Sequence, residues 1–516
     1  MGFEVHEECG IAAVALLKPA ATHAPQQLFN LLLQMQNRGQ LSAGITTYNP
    51  KRLRLLETHR GLGLVKEAFS TANPPKHDHL MHRLSGNRGI GHVRYSTFGS
   101  DNALYAQPFE RFHGRTWKWF SFAFNGNLAN YWDLRAELEQ KKYHFQLESD
   151  TEVMMHHLAF QNRGDTKPDV VDAFKGIAEK FDGAYNIVYQ NADGELVASR
   201  DPNGIKPLSF GQNETLFAAA SESVALESAA LDAIENINPG ELVRVTQDGT
   251  VEKKRFAPKT QKKVCMFEFV YFSQSMSNID GRNVYESRYE MGRQLAKNEP
   301  LTFGADCVVV PVPDTAKPVA DAYGFELGLP VLQGLVKNDY IGRTFIESAD
   351  RDAKVLAKFA LNKRLIEGKK VILVEDSIVR GTTTKAIVRI LKTRGNAKEV
   401  HVRSACPPII HPCFYGIDFS TTKELIAGRH RTNPESVGTG ITEAEENAIQ
   451  HEIGGDSLHY QSIEGLGKAI GFEDGAKSLC TACLDGKYPT PCGQKLLQIA
   501  NDKHNTSPAR TYQQRG

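Results

Sequence analysis

Residues 371–385, VILVEDSIVRGTTTK, constrain the chain more than any other stretch. Val371, Ile372, Leu373 and Val374 predict a strand buried on both faces, as in a parallel sheet. Glu375 and Asp376 follow where that strand leaves the sheet. Gly381 permits a close turn, and Thr382, Thr383 and Thr384 place hydroxyls at a helix N-cap. Ile387, Val388, Ile390 and Leu391 recur at helical spacing up to Gly395, and 400–405 reads as a second strand, completing a βαβ unit. Ligands of open α/β sheets sit beyond the carboxyl ends of the strands. There the free N–H groups of a helix start accept a phosphate, while the acidic pair takes ribose hydroxyls or faces Mg²⁺. Such a site suits a phosphorylated sugar. A GxxxxGK[ST] loop is absent, and no GxGxxG opens a helix here.

A chain of 516 residues exceeds what one core usually organises, so two domains or more are expected. Basic and acidic residues, 61 and 60, nearly cancel at net +1, which gives no support to nucleic acid or a membrane surface as partner. No apolar run is long enough to span a bilayer. The opening MGFEVHEECG lacks the basic and apolar regions of a secretory signal, so the expected location is cytoplasmic. With no sign of export, the eight cysteines raise the question of catalytic or metal-binding thiols rather than of a disulfide framework.

After an acidic opening, residues 9–17 read as a buried strand that begins with the Cys9 thiol. A thiol there is commonly structural. If residues 1–8 are a propeptide, Cys9 instead becomes an amino terminus. Its own amine, titrating at roughly pH 8, then activates the nucleophile. Downstream lie Asn37-Arg38-Gly39-Gln40, Gly91-His92-Val93-Arg94-Tyr95-Ser96-Thr97, Phe124-Asn125-Gly126-Asn127 and Ser149-Asp150-Thr151-Glu152. Singly these are a surface arginine, a turn Asn-Gly and a helix N-cap aspartate. In this order after an early Cys-Gly they resemble the class II glutamine amidotransferases, whose glutaminase is an N-terminal-nucleophile hydrolase. Arg94 offers a planar fork for the α-carboxylate of glutamine, and Asp150 pairs with its α-ammonium. Asn125 and the N–H of Gly126 form an oxyanion hole.

The stretch around residue 375 is similar to the PRPP loop of type I phosphoribosyltransferases. Across residues 9–490 the chain resembles the glutamine phosphoribosylpyrophosphate amidotransferases. The resemblance implies an α/β and α+β protein of two domains: a four-layer αββα glutaminase and a phosphoribosyltransferase with a mainly parallel sheet. The expected divisions are a propeptide at 1–8, the glutaminase at 9–250, a linker at 251–263, the transferase at 264–445 and a C-terminal helical segment with a polar tail at 446–516. The implied reaction converts glutamine, PRPP and water to 5-phosphoribosylamine, glutamate and pyrophosphate, the first committed step of purine synthesis. Cys9 would be the nucleophile. Thr315, Lys337, Arg343, Lys358, Glu375, Asp376, Ser377, Arg380, Gly381, Thr382 and Thr383 would bind PRPP, with Thr315, Glu375 and Asp376 facing Mg²⁺. Residues 337–346 resemble the loop that closes over PRPP. Purine nucleotides would be feedback inhibitors and the chain a homo-oligomer, tetramer or dimer.

Cys265, Cys413, Cys480 and Cys483 form the remaining constellation. On residues alone a zinc site and a redox dithiol both remain open. The resemblance favours a 4Fe–4S cluster held by four thiolates, in a structural role. Several positions depart from the family pattern: Asn37 replaces a histidine, Phe124 precedes Asn-Gly, 273–277 reads SQSMS, and Asp339 and Ala316 stand near the expected pyrophosphate site. Two rival readings are a paralogue acting on another activated sugar and a non-catalytic nucleotide sensor.

Overall fold

The strand Gly10–Leu16 sets the plan of the first half. Successive side chains of a strand point to opposite faces. Ile11, Ala13 and Ala15 therefore enter one core while Ala12 and Val14 enter another, and all five are fully buried. Such a strand can only lie in the interior of a layered fold.

The computed structural model describes residues 9–18, 23–95, 102–337, 359–419, 421–432 and 440–501. Gly10–Leu16 is central in a seven-stranded antiparallel sheet, between Leu216–Ala220 and Arg88–Arg94. A second antiparallel sheet of six strands runs Val251–Arg255, Glu241–Val245, Leu196–Ser199, Gly183–Asn191, Phe120–Leu128 and Phe109–Arg111. The two face each other through small and branched residues, Ile11, Ala13 and Ile90 against Ala123, Val188 and Ala198. Helix Ala24–Gln34 covers the outer face of the first sheet through Leu28, Leu31 and Leu32. Tyr131–Gln140, Asp150–Gln161 and Val170–Ala178 cover the second through Leu134, Val153, Leu158 and Phe174. This is the four-layer αββα arrangement expected of the glutaminase.

The second half centres on a parallel sheet in the order Cys307–Pro311, Lys370–Glu375, Glu399–Ser404, Ser457–Tyr460. Val371 and Leu373 point to one side, against Ile387, Val388 and Leu391 of helix Thr382–Thr393. Ile372 and Val374 point to the other, where Val319 and Tyr323 of Lys317–Leu327 pack with Met291 and Leu295 of Val284–Lys297. The strand is buried on both faces, as its unbroken apolar run predicts.

Three expectations need correction. Residues 251–255 are the edge strand of the six-stranded sheet, so the basic run begins as paired backbone with solvated side chains rather than as linker. The transferase sheet continues past residue 445, because Ser457–Tyr460 is its fourth strand. That strand carries only two buried side chains, Leu458 and Tyr460, too short a pattern to read in advance. The N-cap of Thr382–Thr393 is Gly381 at φ +75°, and no threonine hydroxyl caps it. Instead the Thr384 hydroxyl donates to Glu375 Oε1 at 3.0 Å. The expected propeptide at 1–8 lies outside the described residues.

Candidate active site

Antiparallel pairing of Gly10 with Val93 brings Cys9 and Arg94, the next residues out, to the same end of the sheet. Asp150 reaches that end as the first residue of helix Asp150–Gln161, whose N-cap Ser149 accepts from the N–H of Glu152 at 3.1 Å. Cys9, Arg94, Tyr95, Tyr105, Phe124, Gly126 and Asp150 line one small pocket, together with Gln107, Ser149 and Thr151. The Cys9 thiol donates to the Tyr95 carbonyl at 3.5 Å. The Arg94 guanidinium lies 5.5 Å from the centroid of the Tyr105 ring, a stacking partner the sequence reading missed.

Burial pushes the Asp150 carboxyl up to about 7, against the backbone N–H groups of Thr151, Leu128 and Asp150 and the Arg94 charge. A buried carboxylate held this way is poised for a cationic ligand. Asn125 and Gly126 lie on the central strand Phe120–Leu128. Asn125 is buried, and its Nδ2 has no hydrogen-bond partner among the described residues. Gly126 stands at φ +140°, where a Cβ would fall 1.9 Å from the Ala184 carbonyl oxygen, so only glycine fits. An orphaned amide donor beside a glycine N–H is what an oxyanion requires. Ser96 and Thr97 lie outside the described residues.

Asn37-Arg38-Gly39-Gln40 acquires a role its local sequence does not announce. Arg38 is fully buried and donates to Glu222 at 2.7 Å and to Glu268 at 2.7 and 3.0 Å. Its Nε also donates to the Cys9 carbonyl at 3.3 Å. The two carboxylates come from opposite sides of the expected linker, so Arg38 clasps the halves together beside Cys9. The SQSMS departure belongs to the same clasp. Ser273 Oγ donates to Glu268 at 2.6 Å and Ser277 Oγ to Glu222 at 2.5 Å. Arg288 donates to the Ser273 carbonyl at 2.8 Å and to Ser275 Oγ at 3.0 Å. A second buried pair, Arg200 with Asp280 at 2.7 Å, fastens the Asp201–Ile205 turn to the same junction.

At the transferase site Glu375 and Asp376 end their strand nearly buried, and Ser377 Oγ donates to Asp376 Oδ1 at 2.7 Å. Gly381 packs so tightly on Ile426 that a Cβ would come within 2.4 Å of its Cδ1. Thr382 and Thr383 begin the following helix, leaving its first N–H groups at the loop. Thr315 lies in the turn after Cys307–Pro311. Lys337, expected to meet pyrophosphate, is 3.1 Å from Asp314. Burial alone would raise the Asp314 carboxyl, but Lys317 and Lys337 outweigh it and hold it low. The Arg380 guanidinium donates to Glu424 and to the Asp418 carbonyl and so braces the loop. Arg343, Lys358 and Asp339 lie outside the described residues.

The four cysteines singled out above converge. Cys265 sits opposite Cys480 in a two-residue parallel pairing of Val264–Cys265 with Leu479–Cys480. Burial raises the Cys483 thiol, and the neighbouring Cys413, Cys480 and Cys265 raise it further. Burial likewise pushes Cys480 up to about 12. None of the eight cysteines, all among the described residues, is in a disulfide. Among the described residues no three His, Cys, Asp or Glu side chains stand together as ligands of one metal ion. Four thiols brought together from three separate segments are an all-sulfur donor set of the chemistry that an iron–sulfur cluster needs.

Residues 74–266 match the model of a glutamine amidotransferase domain and 285–407 that of a phosphoribosyl transferase domain. The amidophosphoribosyltransferase of Methanothermobacter thermautotrophicus is 40% identical over 491 residues, 95% of this chain and 96% of its own. That of Bacillus subtilis is 37% identical, covering 96% of each. The solved B. subtilis glutamine PRPP amidotransferase, complexed with ADP and GMP, superposes with a TM-score of 0.80 at 35% identity, covering 94% of this chain and 98% of that one. Among the described residues no helix is long and apolar enough to cross a membrane.

Proposed function

The chain belongs to the amidophosphoribosyltransferases, glutamine-dependent pentosyltransferases of the first step of purine biosynthesis, and on that premise we propose how its residues divide the reaction. Full-length likeness to that family does not favour a paralogue on another sugar or a nucleotide sensor. In the glutaminase half, Arg94 takes the α-carboxylate of glutamine and Asp150 its α-ammonium. The Cys9 thiol attacks the side-chain carbonyl, and Asn125 Nδ2 with the Gly126 N–H receives the oxyanion. The amide nitrogen leaves as ammonia, and water releases glutamate from the thioester. With residues 1–8 removed, the freed amine of Cys9 takes the thiol proton.

In the transferase half, the helix start at Gly381, Thr382 and Thr383 holds the 5-phosphate with Ser377, and Glu375 with Asp376 holds the ribose hydroxyls. Thr315 and Lys337 meet the pyrophosphate, joined by Arg343 and Lys358. Ammonia displaces pyrophosphate at C1. Glu375, Asp376 and Thr315 would also hold Mg²⁺, which neutralises charge on the leaving group when bound through substrate phosphates. Cys265, Cys413, Cys480 and Cys483 would hold a 4Fe–4S cluster that secures the C-terminal segment. Purine nucleotides are read as feedback inhibitors, and the protein as a cytoplasmic homo-oligomer, dimer or tetramer.

The observation that carries this reading is the meeting of Cys9, Arg94, Asp150 and Gly126 around one pocket. Its test is pyrophosphate release from PRPP driven by glutamine and, separately, by ammonia. Cys9→Ala is expected to lose the first and keep the second. Survival of glutamine-driven release in that variant defeats the assignment. Intact mass beginning at Cys9 and visible absorbance that disappears in Cys483→Ser test the processing and the cluster.

A further inference from the structure

A lysine of the glutaminase half is buried beside the four cysteines. Lys206 is fully buried. It follows the Asp201–Ile205 turn, in which Asp201 Oδ2 accepts from the Ile205 N–H at 3.1 Å. Its own carbonyl accepts from Arg200 Nε at 2.9 Å and from Asn186 Nδ2 at 3.1 Å, so its backbone is held from the glutaminase side. The same segment runs along the first thiol of the set. The Asn203 carbonyl accepts from the Lys263 N–H at 2.8 Å, and the Ile205 carbonyl accepts from the Cys265 N–H at 2.9 Å. Val264–Cys265 pairs in turn with Leu479–Cys480. Lys206 therefore adjoins a backbone bond to Cys265, and its charge pulls the Cys480 thiol down against the burial that pushes it up.

A charge in a dry site is costly unless an opposite charge meets it. Four thiolates carry more negative charge than an iron–sulfide core carries positive, so a cluster held by them is an anion. The groups around it are apolar or engaged elsewhere. Cys265, Cys413 and Cys480 share a core with Phe267, Phe414 and Leu479. The Tyr488 hydroxyl donates to the Pro412 carbonyl, and the Tyr415 hydroxyl pairs with Thr490 Oγ1 at 2.9 Å. Lys262 and Lys263, nearer to Cys265 in sequence, are partly exposed and stand 3.5 Å from Asp280 and 2.7 Å from the Lys477 carbonyl. Lys206 is the buried one of the three.

We propose that Lys206 is the counter-ion of the cluster, a cation supplied by the glutaminase domain to thiolates that all follow the domain junction. The lysine is then held for its charge rather than its shape, and a filled cluster site draws the two halves together. This rests on reading Cys265, Cys413, Cys480 and Cys483 as ligands of a 4Fe–4S cluster.

The test uses Lys206→Met and Lys206→Arg in the full-length protein, purified without oxygen, and repeats the methionine change in an iron-free Cys483→Ser background. Iron and sulfide content, retention of visible absorbance against EDTA and the urea midpoint are measured. Lys206→Met is expected to give up its iron at about 10–100-fold less EDTA than the parent, the range for removing a partner beside metal ligands, and Lys206→Arg within about twofold of the parent. Lys206→Met is expected to lower the urea midpoint of the cluster-bearing protein but not that of Cys483→Ser, where the ammonium has lost its anion. A methionine variant that holds iron like the parent, or an arginine variant no better than methionine, overturns the proposal. So does an equal fall of the midpoint in both backgrounds, the mark of a lysine kept for packing alone. Should Lys206→Met fail to accumulate, Lys206→Gln carries the same comparison. The parent's own metal separates the two failures. A parent with zinc, or without iron, overturns the cluster and its counter-ion together. A parent with iron and sulfide whose variants behave alike keeps the cluster and loses only the counter-ion.

Discussion

Replacing Arg38 with methionine removes the cation from a junction where Arg38, Glu222 and Glu268 side chains are 0%, 1% and 0% exposed. The geometry sets the size of the effect. Both carboxylates remain in a dry site, and among the described contacts the Ser273 and Ser277 hydroxyls and the Asn37 amide still donate to them. Breaking a buried pair by deleting one partner costs about 3–5 kcal/mol, far above the worth of a surface pair. With a urea slope of about 1–3 kcal/mol/M, the unfolding midpoint of Arg38→Met falls by about 1–5 M. Adding Glu222→Gln and Glu268→Gln removes the stranded charges, so the triple variant recovers most of the loss. Equilibrium urea unfolding by far-UV circular dichroism measures both. A single variant within about 0.3 M of the parent, or a triple variant less stable than the single, refutes the reasoning that uncompensated charge is what the clasp avoids.

Four further outcomes follow from the geometry. Asn125→Ala lowers glutaminase kcat about 10²–10³-fold with little change in KM and leaves ammonia-driven synthesis intact, as steady-state kinetics will show. Because the folded Asp150 carboxyl sits near 7, above its unfolded value, its ionisation opposes folding: stability from this group is present at low pH and lost as pH rises through about 7. Asp150→Asn therefore raises the urea midpoint at pH 8 but not at pH 4, while parent kcat/KM for glutamine falls as pH drops below about 7. Asp376→Asn raises KM for PRPP about 10–100-fold, the loss expected of a charged hydrogen bond, and leaves PRPP-free glutaminase unchanged.

What could be read in advance follows from the range of the interactions. The strand through Val371 and Val374 was legible because burial on both faces writes itself as a local apolar run. The pocket residues Cys9, Arg94, Gly126 and Asp150 were legible as ordered short strings. Arg38 was visible only as the second residue of a tetrapeptide whose first, Asn37, departs from the family pattern. Its partners lie 184 and 230 residues away, and nothing local says that a loop arginine will be dry. Thr384 shows the converse. A threonine at a helix start predicts a cap by local rules, but the carboxylate of Glu375 competes for its hydroxyl once the strand and helix pack. Arg380 and Glu424 repeat that lesson across 44 residues.

The short parallel pairing of Val264–Cys265 with Leu479–Cys480 fixes an order of events during synthesis. A ribosome delivers the first partner roughly two hundred residues before the second, a wait of about 10–40 s at ordinary elongation speeds. Until Cys413 emerges the first thiol of the set has no fellow member, and until Cys480 its strand has no partner. A nascent chain that stalls before its last strand can complete the glutaminase sandwich but leaves Cys265 open to oxidants. Premature termination should therefore yield a well-formed amino-terminal half in which Cys265, besides the Cys9 nucleophile, is open to reaction.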